Sequence, residues 1–355
     1  MISIKGTERV LICPLGWGLG HATRVIPIIS FLLKKGCTVI FAGDESSLTL
    51  LNVIFPQNQS IYFPSISVRL SKKSSSFLLF LIALKVINRS IQENRELKKI
   101  ISQQRIDLVI SDNRYGFYSQ EIPSVLITHQ LRIKFPRPFG WLELIGEWYV
   151  RRYANRFAEC WIPDNSEGFR LSGELSQTKH PPTNVQFIGL LSRFSEFEKV
   201  KKVKPKWDLV AIVSGPPPHR DIFERELVDL ANRLNLKTLV IQGLPQNSSK
   251  VVRGMATLIP HLPDDEMAEA ILSTKYIICR SGYSTIMDLM ALGRRALLVP
   301  TPGQTEQEYL AIYLSQQKIL DFSSQKDLKN LTVERLKDSQ SDHWVSVNVS
   351  FFPVA

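Results

Sequence analysis

The chain is short of cysteine, and none of its cysteines pair at CxxC spacing. Cys13, Cys37, Cys160 and Cys279 are scattered over 355 residues. That scatter argues against a zinc ribbon or a disulfide framework. It predicts four small core residues in a reducing compartment. No apolar run reaches the ~20 residues that cross a bilayer. A strand-like run begins almost at the first residue, so no signal peptide is expected. Short-period repeats, low-complexity tracts and recognised nucleic-acid modules are missing. Aromatic residues are not interleaved with the basic ones as in an RNA-binding strand, so no nucleic-acid partner is expected.

What is abundant is positive charge. The formal net charge is +11, and it is uneven: residues 1–190 hold 23 Lys and Arg against 14 Asp and Glu, residues 191–355 hold 21 against 19. The first part therefore carries the field, which suits an anionic substrate or an anionic membrane surface. The length allows two domains, each with its own core.

Short β-branched runs at Val10–Cys13, Thr38–Ala42, Asp107–Ser111 and Ser124–Thr128 read as buried parallel strands. Helical patterns lie between them, at about 22–35 and 76–103. The alternation repeats with strands at Leu209–Val213, Thr238–Gln242, Thr257–Ile259, Tyr276–Cys279 and Ala296–Val299. Helices are predicted at about 220–234, 264–273, 284–292 and 305–317. This order predicts an α/β protein with parallel sheets covered on both faces. The expected division is an N-terminal Rossmann-like domain over 1–190, a C-terminal one over 191–330, and a tail over 331–355 with no assigned role.

Two segments of the first part stand apart. Phe77–Leu84 is apolar all round and follows Lys72-Lys73; it reads as a buried helix, an interfacial helix or a greasy acceptor site. Arg137–Arg156 mixes Trp141, Leu142, Trp148 and Tyr149 with Arg151, Arg152 and Arg156. It reads as a membrane-interface segment or as a core-facing helix with a basic outer face.

Two loops carry the chemistry. The first, Gly16-Trp17-Gly18-Leu19-Gly20-His21, follows a strand and opens a helix. Its glycines let backbone approach a ligand, and the helix start offers free N–H groups to an anion. His21 faces a ligand there or caps the helix. The spacing is not GxGxxG, but Asp44 and Glu45 near the end of the second strand keep a dinucleotide oxidoreductase open as an alternative. The second loop, Arg280-Ser281-Gly282-Tyr283-Ser284-Thr285, has the same strand–loop–helix logic. Ser281, Gly282, Ser284 and Thr285 form an anion site at the helix tip. Asp288 lies one turn inside, where a carboxylate accepts both hydroxyls of a ribose. Pro300–Tyr309 follows, with Gln304, Gln307 and Glu308 at the next helix start. Two such loops predict two α/β domains facing a shared cleft.

This combination resembles the GT-B glycosyltransferases of family 28, a family whose best-known member makes lipid II for bacterial cell walls. The glycine loop ending in His21 matches. So does the run Arg-Ser-Gly…Asp…Ala-Leu-Gly…Val-Pro…Gln-Glu-Tyr, from Arg280 to Tyr309. The resemblance implies a GT-B fold of two doubly wound domains and transfer of a hexose or N-acetylhexosamine from a UDP-sugar. The acceptor it implies is a hydroxyl, on a lipid-linked molecule or a glycan.

By the same resemblance Asp288 meets the ribose, in place of a longer family Glu. Gln307 and Glu308 meet the sugar, His261 and Leu262 edge the uracil, and Gly16, Gly18, Gly20 and His21 face acceptor and phosphates. The family's glycine- and serine-rich phosphate loop is replaced by Ser214-Gly215-Pro216-Pro217-Pro218-His219-Arg220. Three prolines remove three N–H donors, so Ser214, Gly215, His219 and Arg220 must compensate, unless this is simply a rigid turn with a solvated Arg220.

The reaction needs a base and positive charge on the leaving diphosphate. Helix tips and Arg280 supply the charge, and no DxD sequence is present, so the expectation is inverting chemistry with no metal and no cofactor. His21 is the first candidate base, then Asp112 and His129; Asp112 could instead be a turn residue paired with Arg114. The place expected is the cytoplasm, at the inner face of its membrane. The alternatives are a UDP-sugar 2-epimerase of the same fold and a non-catalytic, membrane-recruiting partner of another transferase.

Overall fold

The computed structural model describes residues 2–16, 18–65, 76–136, 139–197, 205–341 and 347–353, leaving aside the side chains of 76–86. The chain divides into two units. One takes Met1–Trp17, Arg24–Leu191 and Val349–Ala355; the other takes Gly18–Thr23 and Ser192–Asn348.

The first unit is built from β1 (Arg9–Pro14), α1 (Leu19–Lys34, whose first turn groups with the second unit), β2 (Thr38–Gly43), α2 (Glu45–Ile54), β3 (Gln59–Tyr62), α3 (Ser76–Gln103), β4 (Leu108–Asp112), β5 (Ser124–Ile127), α4 (Leu142–Ala154), β6 (Glu159–Ile162) and β7 (Val185–Phe187). Its strands order as β3-β2-β1-β4-β5-β6-β7, and every pairing is parallel. A parallel strand buried on both faces must be apolar throughout, and Val10, Leu11, Ile12 and Cys13 are fully buried. Leu11 and Cys13 pack with Ile40, Ala42, Phe63, Val109 and Phe117. A second cluster seats Val150 and Ala154 of α4 against Leu126, Cys160 and Ile162.

The second unit holds β8 (Trp207–Ile212), α5 (His219–Leu234), β9 (Thr238–Ile241), β10 (Val251–Arg253), β11 (Ala256–Ile259), α6 (Asp264–Leu272), β12 (Thr274–Cys279), α7 (Tyr283–Leu292), β13 (Leu297–Leu298), α8 (Thr305–Gln316), β14 (Asp321–Phe322) and α9 (Val333–Asp338). The order is β10-β11-β9-β8-β12-β13-β14, parallel except for the β10–β11 hairpin at the edge.

Winding reverses at one place in each sheet. In the first it falls between β1 and β4, whose ends align Pro14 with Asp112. In the second it falls between β8 and β12, where Ile212 aligns with Cys279. Open α/β sheets bind ligands in the crevice at such a reversal, beyond the carboxyl ends of the strands.

All four cysteines are free and buried. Burial pushes the thiols of Cys13, Cys160 and Cys279 up to about 12, as inert core residues require. The short elements α2, β3, β6, β10 and β14 have no counterpart in the sequence prediction. The tail also gains a place. Thr332 caps α9 through Arg335 N, and Leu336 is buried in the second unit's core. Further on, Ser350 O accepts from Leu190 N and Phe352 N donates to Leu190 O. Phe352 then packs on Phe31 and Trp161, so the last residues join the first unit. Phe77–Leu84 falls in α3, but its side chains, like Lys72 and Lys73, lie outside the described residues. Among the described residues no helix is long and apolar enough to cross a membrane.

Candidate active site

In the second unit, β12 ends at Cys279 and α7 begins four residues later. Its N-cap is Gly282, with φ −73° and ψ 137° and no side-chain cap. A Cβ on Gly282 would meet nothing within 4 Å. Gly282 itself thus brings no side chain to the tip of α7, where a helix N-terminus favours an anion. The neighbouring loop after β8 turns at Gly215, where φ is +94° and a Cβ would again meet nothing within 4 Å. The prolines end in the N-cap of α5, Pro218, which also lacks a side-chain cap. Arg220 is partly buried, and its guanidinium pairs with the exposed Asp221 at 2.8 Å.

Arg280 has a different role from the one expected. It is buried, and its Nη atoms donate to the carbonyls of Val299, Pro300 and His219, each at 3.2 Å. Its guanidinium lies 3.8 Å from the Phe223 ring centre, and burial lowers its pKa to about 10. The side chain is a strut joining the strand ends to the start of α5. It brings the His219 loop beside the Ser281 loop.

Asp288 is buried in α7. Ser192 Oγ donates to its Oδ1 at 2.6 Å, and Arg193 Nε lies 3.4 Å from its Oδ2. Arg193 Nη1 also reaches Asp264 Oδ1 at 2.5 Å. Burial pushes Asp288 up to about 6, against the pull of Arg193 and Ser192. His261 joins this group: burial, then the charge of Arg193, lower its pKa. Leu262 beside it is buried. The sequence reading missed Ser192 and Arg193. Their only signal is that they follow Gly189, just past β7.

The start of α8 is tied to the same loops. Ser281 Oγ donates to Gln307 O at 2.8 Å, Thr301 N donates to Gln307 Oε1 at 2.9 Å, and Gly303 N donates to Glu308 Oε1 at 2.9 Å. Gln304, the exposed N-cap of α8, makes no side-chain capping bond. Ser284 Oγ donates to Gly20 O at 2.7 Å, within the second unit as the chain divides, and Thr285 sits partly buried beside it in the first turn of α7.

In the first unit, Gly16 is glycine for want of space. A Cβ there would come within 2.1 Å of Asp44 Oδ2 and 2.5 Å of Ser65 Oγ. Asp44 is the N-cap of α2, accepting from Ser47 N at 3.0 Å. That cap engages Oδ1 of one of the two acids, Asp44 and Glu45, on which the oxidoreductase alternative depended. Gly18 needs its left-handed φ of +87°. His21 is partly buried in the first turn of α1.

Asp112 and His129, the other candidate bases, share one cation. Arg24 Nε donates to Asp112 Oδ1 at 2.8 Å and its Nη2 makes a shorter contact to the same oxygen. Arg24 Nη1 lies 3.1 Å from His129 Nδ1. All three are buried. Arginine only donates, so His129 Nδ1 accepts and the ring's proton sits on Nε2. Arg114 is not the partner of Asp112; it pairs with Glu93 at 2.9 Å.

Known proteins agree with this arrangement. The fold matches that of the spinosyn rhamnosyltransferase SpnG with a TM-score of 0.59, at 14% identity, over 93% of this chain and 90% of that one. Two parallel-dominated sheets wound in this way give the protein a two-domain α/β GT-B fold.

Sequence comparison points to glycosyltransferases as well. Residues 235–342 match the glycosyltransferase family 28 C-terminal domain. The chain is 29% identical, over 93% of its length and 91% of the relative's, to the UDP-N-acetylglucosamine--N-acetylmuramyl-(pentapeptide) pyrophosphoryl-undecaprenol N-acetylglucosamine transferase of Histophilus somni. It is 23% identical to an uncharacterized glycosyltransferase of Methanosarcina mazei, over 89% of this chain and 86% of that one. The chain is a glycosyltransferase, and its residues 235–342 are similar to the family 28 C-terminal domain.

Proposed function

We propose that this glycosyltransferase uses a UDP-sugar and passes the sugar, with inversion and without a metal, to an acceptor hydroxyl. The observation that carries the proposal is the α7 tip at Gly282, where a Cβ would meet nothing within 4 Å, with the Asp288 carboxylate one turn inside. An anion and a ribose suit those two features in that order.

In this reading the α7 N–H groups, Ser281, Ser284 and Thr285 hold the diphosphate, helped by Ser214, Gly215 and His219. Asp288 accepts from the ribose, and backbone at His261 and Leu262 edges the uracil. Gln307 has its Oε1 engaged by Thr301, which leaves its Nε2 to donate to a sugar hydroxyl beside Gln304 and Glu308. The acceptor oxygen bonds to the anomeric carbon as the bond from that carbon to the diphosphate oxygen breaks and UDP leaves. His21 takes the acceptor's proton; it is preferred because Asp112 and His129 are both bound to Arg24. The Histophilus relative's name joins a UDP-sugar to a lipid-linked acceptor, which supports an N-acetylhexosamine and a lipid-linked acceptor here, met at the cytoplasmic face of a membrane.

The test is a panel of UDP-sugars, each incubated with the protein alone and followed by NMR. One donor is expected to raise the melting temperature and to release its sugar slowly. A panel that gives no thermal shift and no hydrolysis overturns the proposal. A changed sugar still attached to UDP indicates epimerisation instead.

A further inference from the structure

One buried cluster of the first unit holds a bond that charge balance does not require. Arg24 of α1 and Asp112 at the end of β4 neutralise each other: Arg24 Nε donates to Asp112 Oδ1 at 2.8 Å, and Nη2 closes on the same oxygen. Both are buried, as is His129. Nη1 of the same guanidinium lies 3.1 Å from His129 Nδ1. That third bond adds nothing to the neutrality of the pair. Its effect is to orient a ring, because a guanidinium only donates and the imidazole then carries its hydrogen on Nε2. The backbone that bears the ring is fixed too. Asp112 is in register with Ile127, the last residue of β5. Just beyond them Asn113 turns with φ 58°, and its N–H donates to Ile127 O at 2.9 Å. Thr128 Oγ1 donates to Asn113 Oδ1 at 3.1 Å and accepts from Gln130 N at 3.1 Å, so the residues on both sides of His129 are tied down.

We propose that Arg24 is a positioning residue: anchored by Asp112, it locks His129 in the Nε2–H form, and that N–H donates to the hydroxyl oxygen of the sugar acceptor. The ligand is an alcohol oxygen, or water when no acceptor is present. Such an oxygen has two lone pairs. One forms the new bond to the anomeric carbon and the other accepts from Nε2, while the proton leaves to the base named above. In the locked form both ring nitrogens are committed, so His129 gives a hydrogen bond and takes no proton. A ring set in advance need not be oriented when the acceptor arrives. The ends of β4 and β5 lie at the winding reversal of the first sheet or next to it, where open α/β sheets take ligands. Stability alone would be served by the Arg24–Asp112 pair, or by apolar side chains of the same volume. The hydrogen bond to the acceptor rests on the transfer reaction proposed above; the lock on the ring does not, and the two are tested apart.

The experiment begins with nitrogen NMR of the full chain, isotopically labelled in its histidines. The His129 ring, assigned by the signals lost in His129→Gln, is expected to carry hydrogen on Nε2 and none on Nδ1. Arg24→Lys keeps a cation for Asp112 but loses the planar fork, and is expected to give a mixture of the two tautomers. Slow release of sugar from the UDP-sugar selected by the panel supplies the second reading. Arg24→Lys and His129→Leu are expected to release it about ten-fold more slowly at unchanged donor affinity, the worth of one hydrogen bond. His129→Gln, whose amide can place an N–H near the position of Nε2, is expected to lose only about two-fold. A hydrogen on Nδ1 in the parent chain, or an unaltered tautomer in Arg24→Lys, overturns the lock. Equal losses in the Gln and Leu variants overturn the hydrogen bond to the acceptor, and so does a pH profile of release that loses a limb in His129→Gln, which makes His129 the base. If no UDP-sugar is turned over, the transfer reaction falls and the acceptor bond with it, while the spectra still decide the lock.

Discussion

The two sheets reverse their winding in the same way, yet the crevices beyond them are finished differently. In the first unit the crevice is stitched by buried charge: Arg24 binds both Asp112 and His129, and Arg114 binds Glu93. In the second it is edged by Gly215 and Gly282, whose Cβ positions face empty space, and its buried Arg280 binds backbone carbonyls instead of carboxylates. The same topology thus yields a crevice edged by paired side chains in one case and by glycine backbone in the other. Glycine serves opposite ends in the two places. Gly16 makes room for Asp44, whereas a Cβ on Gly282 would meet nothing within 4 Å.

The sharpest way to break that contrast is Arg24→Ala. It removes the buried cation that binds both Asp112 and His129, so a stability loss of about 3–5 kcal/mol is expected in urea unfolding. A loss under about 1 kcal/mol would show that the network holds nothing together.

On the other side, Asp288→Ala should weaken UDP-sugar binding by about 1.5–3 kcal/mol in calorimetry, the worth of hydrogen bonds to a charged group. Unchanged affinity would remove Asp288 from the site.

The pH dependence sharpens the same point. Burial raises Asp288 from its ordinary 3.8 to about 6. Its contribution to folding is therefore complete below about pH 4 and is lost as pH rises through 6. Binding runs the other way, since ribose hydroxyls donate to the carboxylate. UDP-sugar affinity should climb between pH 5 and 7 and flatten in Asp288→Asn, relative to the same protein's behaviour at pH 7. A parallel climb in both proteins would assign it to another group, with His261 next to be tested.

The smallest effects come from the glycines. Gly16→Ala should cost about 1 kcal/mol of stability by displacing the Asp44 cap, and leave donor affinity alone. Gly282→Ala should do the reverse, lowering donor affinity with the melting temperature unchanged. Interchange of these two outcomes would erase the distinction between the crevices.

Much of the fold was legible because strand–loop–helix units are local. The runs at Val10–Cys13 and Tyr276–Cys279 are apolar throughout, as buried parallel strands must be, and the glycine loops follow directly. Elements of two to four residues, such as β6, β10 and β14, carry too little periodicity to be read. In the site, the positions of Gly282, Asp288 and Gln307 along their elements were readable from spacing. The engagement of Arg280 with carbonyls was not, because an arginine in a loop looks the same whether it meets a ligand or the backbone.

The sequence by itself determined the alternation of strands and helices, the two glycine loops and the uneven charge, since each depends on neighbours along the chain. The tertiary structure alone decided that Asp112 meets Arg24, that Ser192 and Arg193 close on Asp288, and that Phe352 returns to Leu190. Those partners are remote in sequence. A hydrogen bond or ion pair leaves no periodic trace, so only folding reveals which of many polar side chains arrive together.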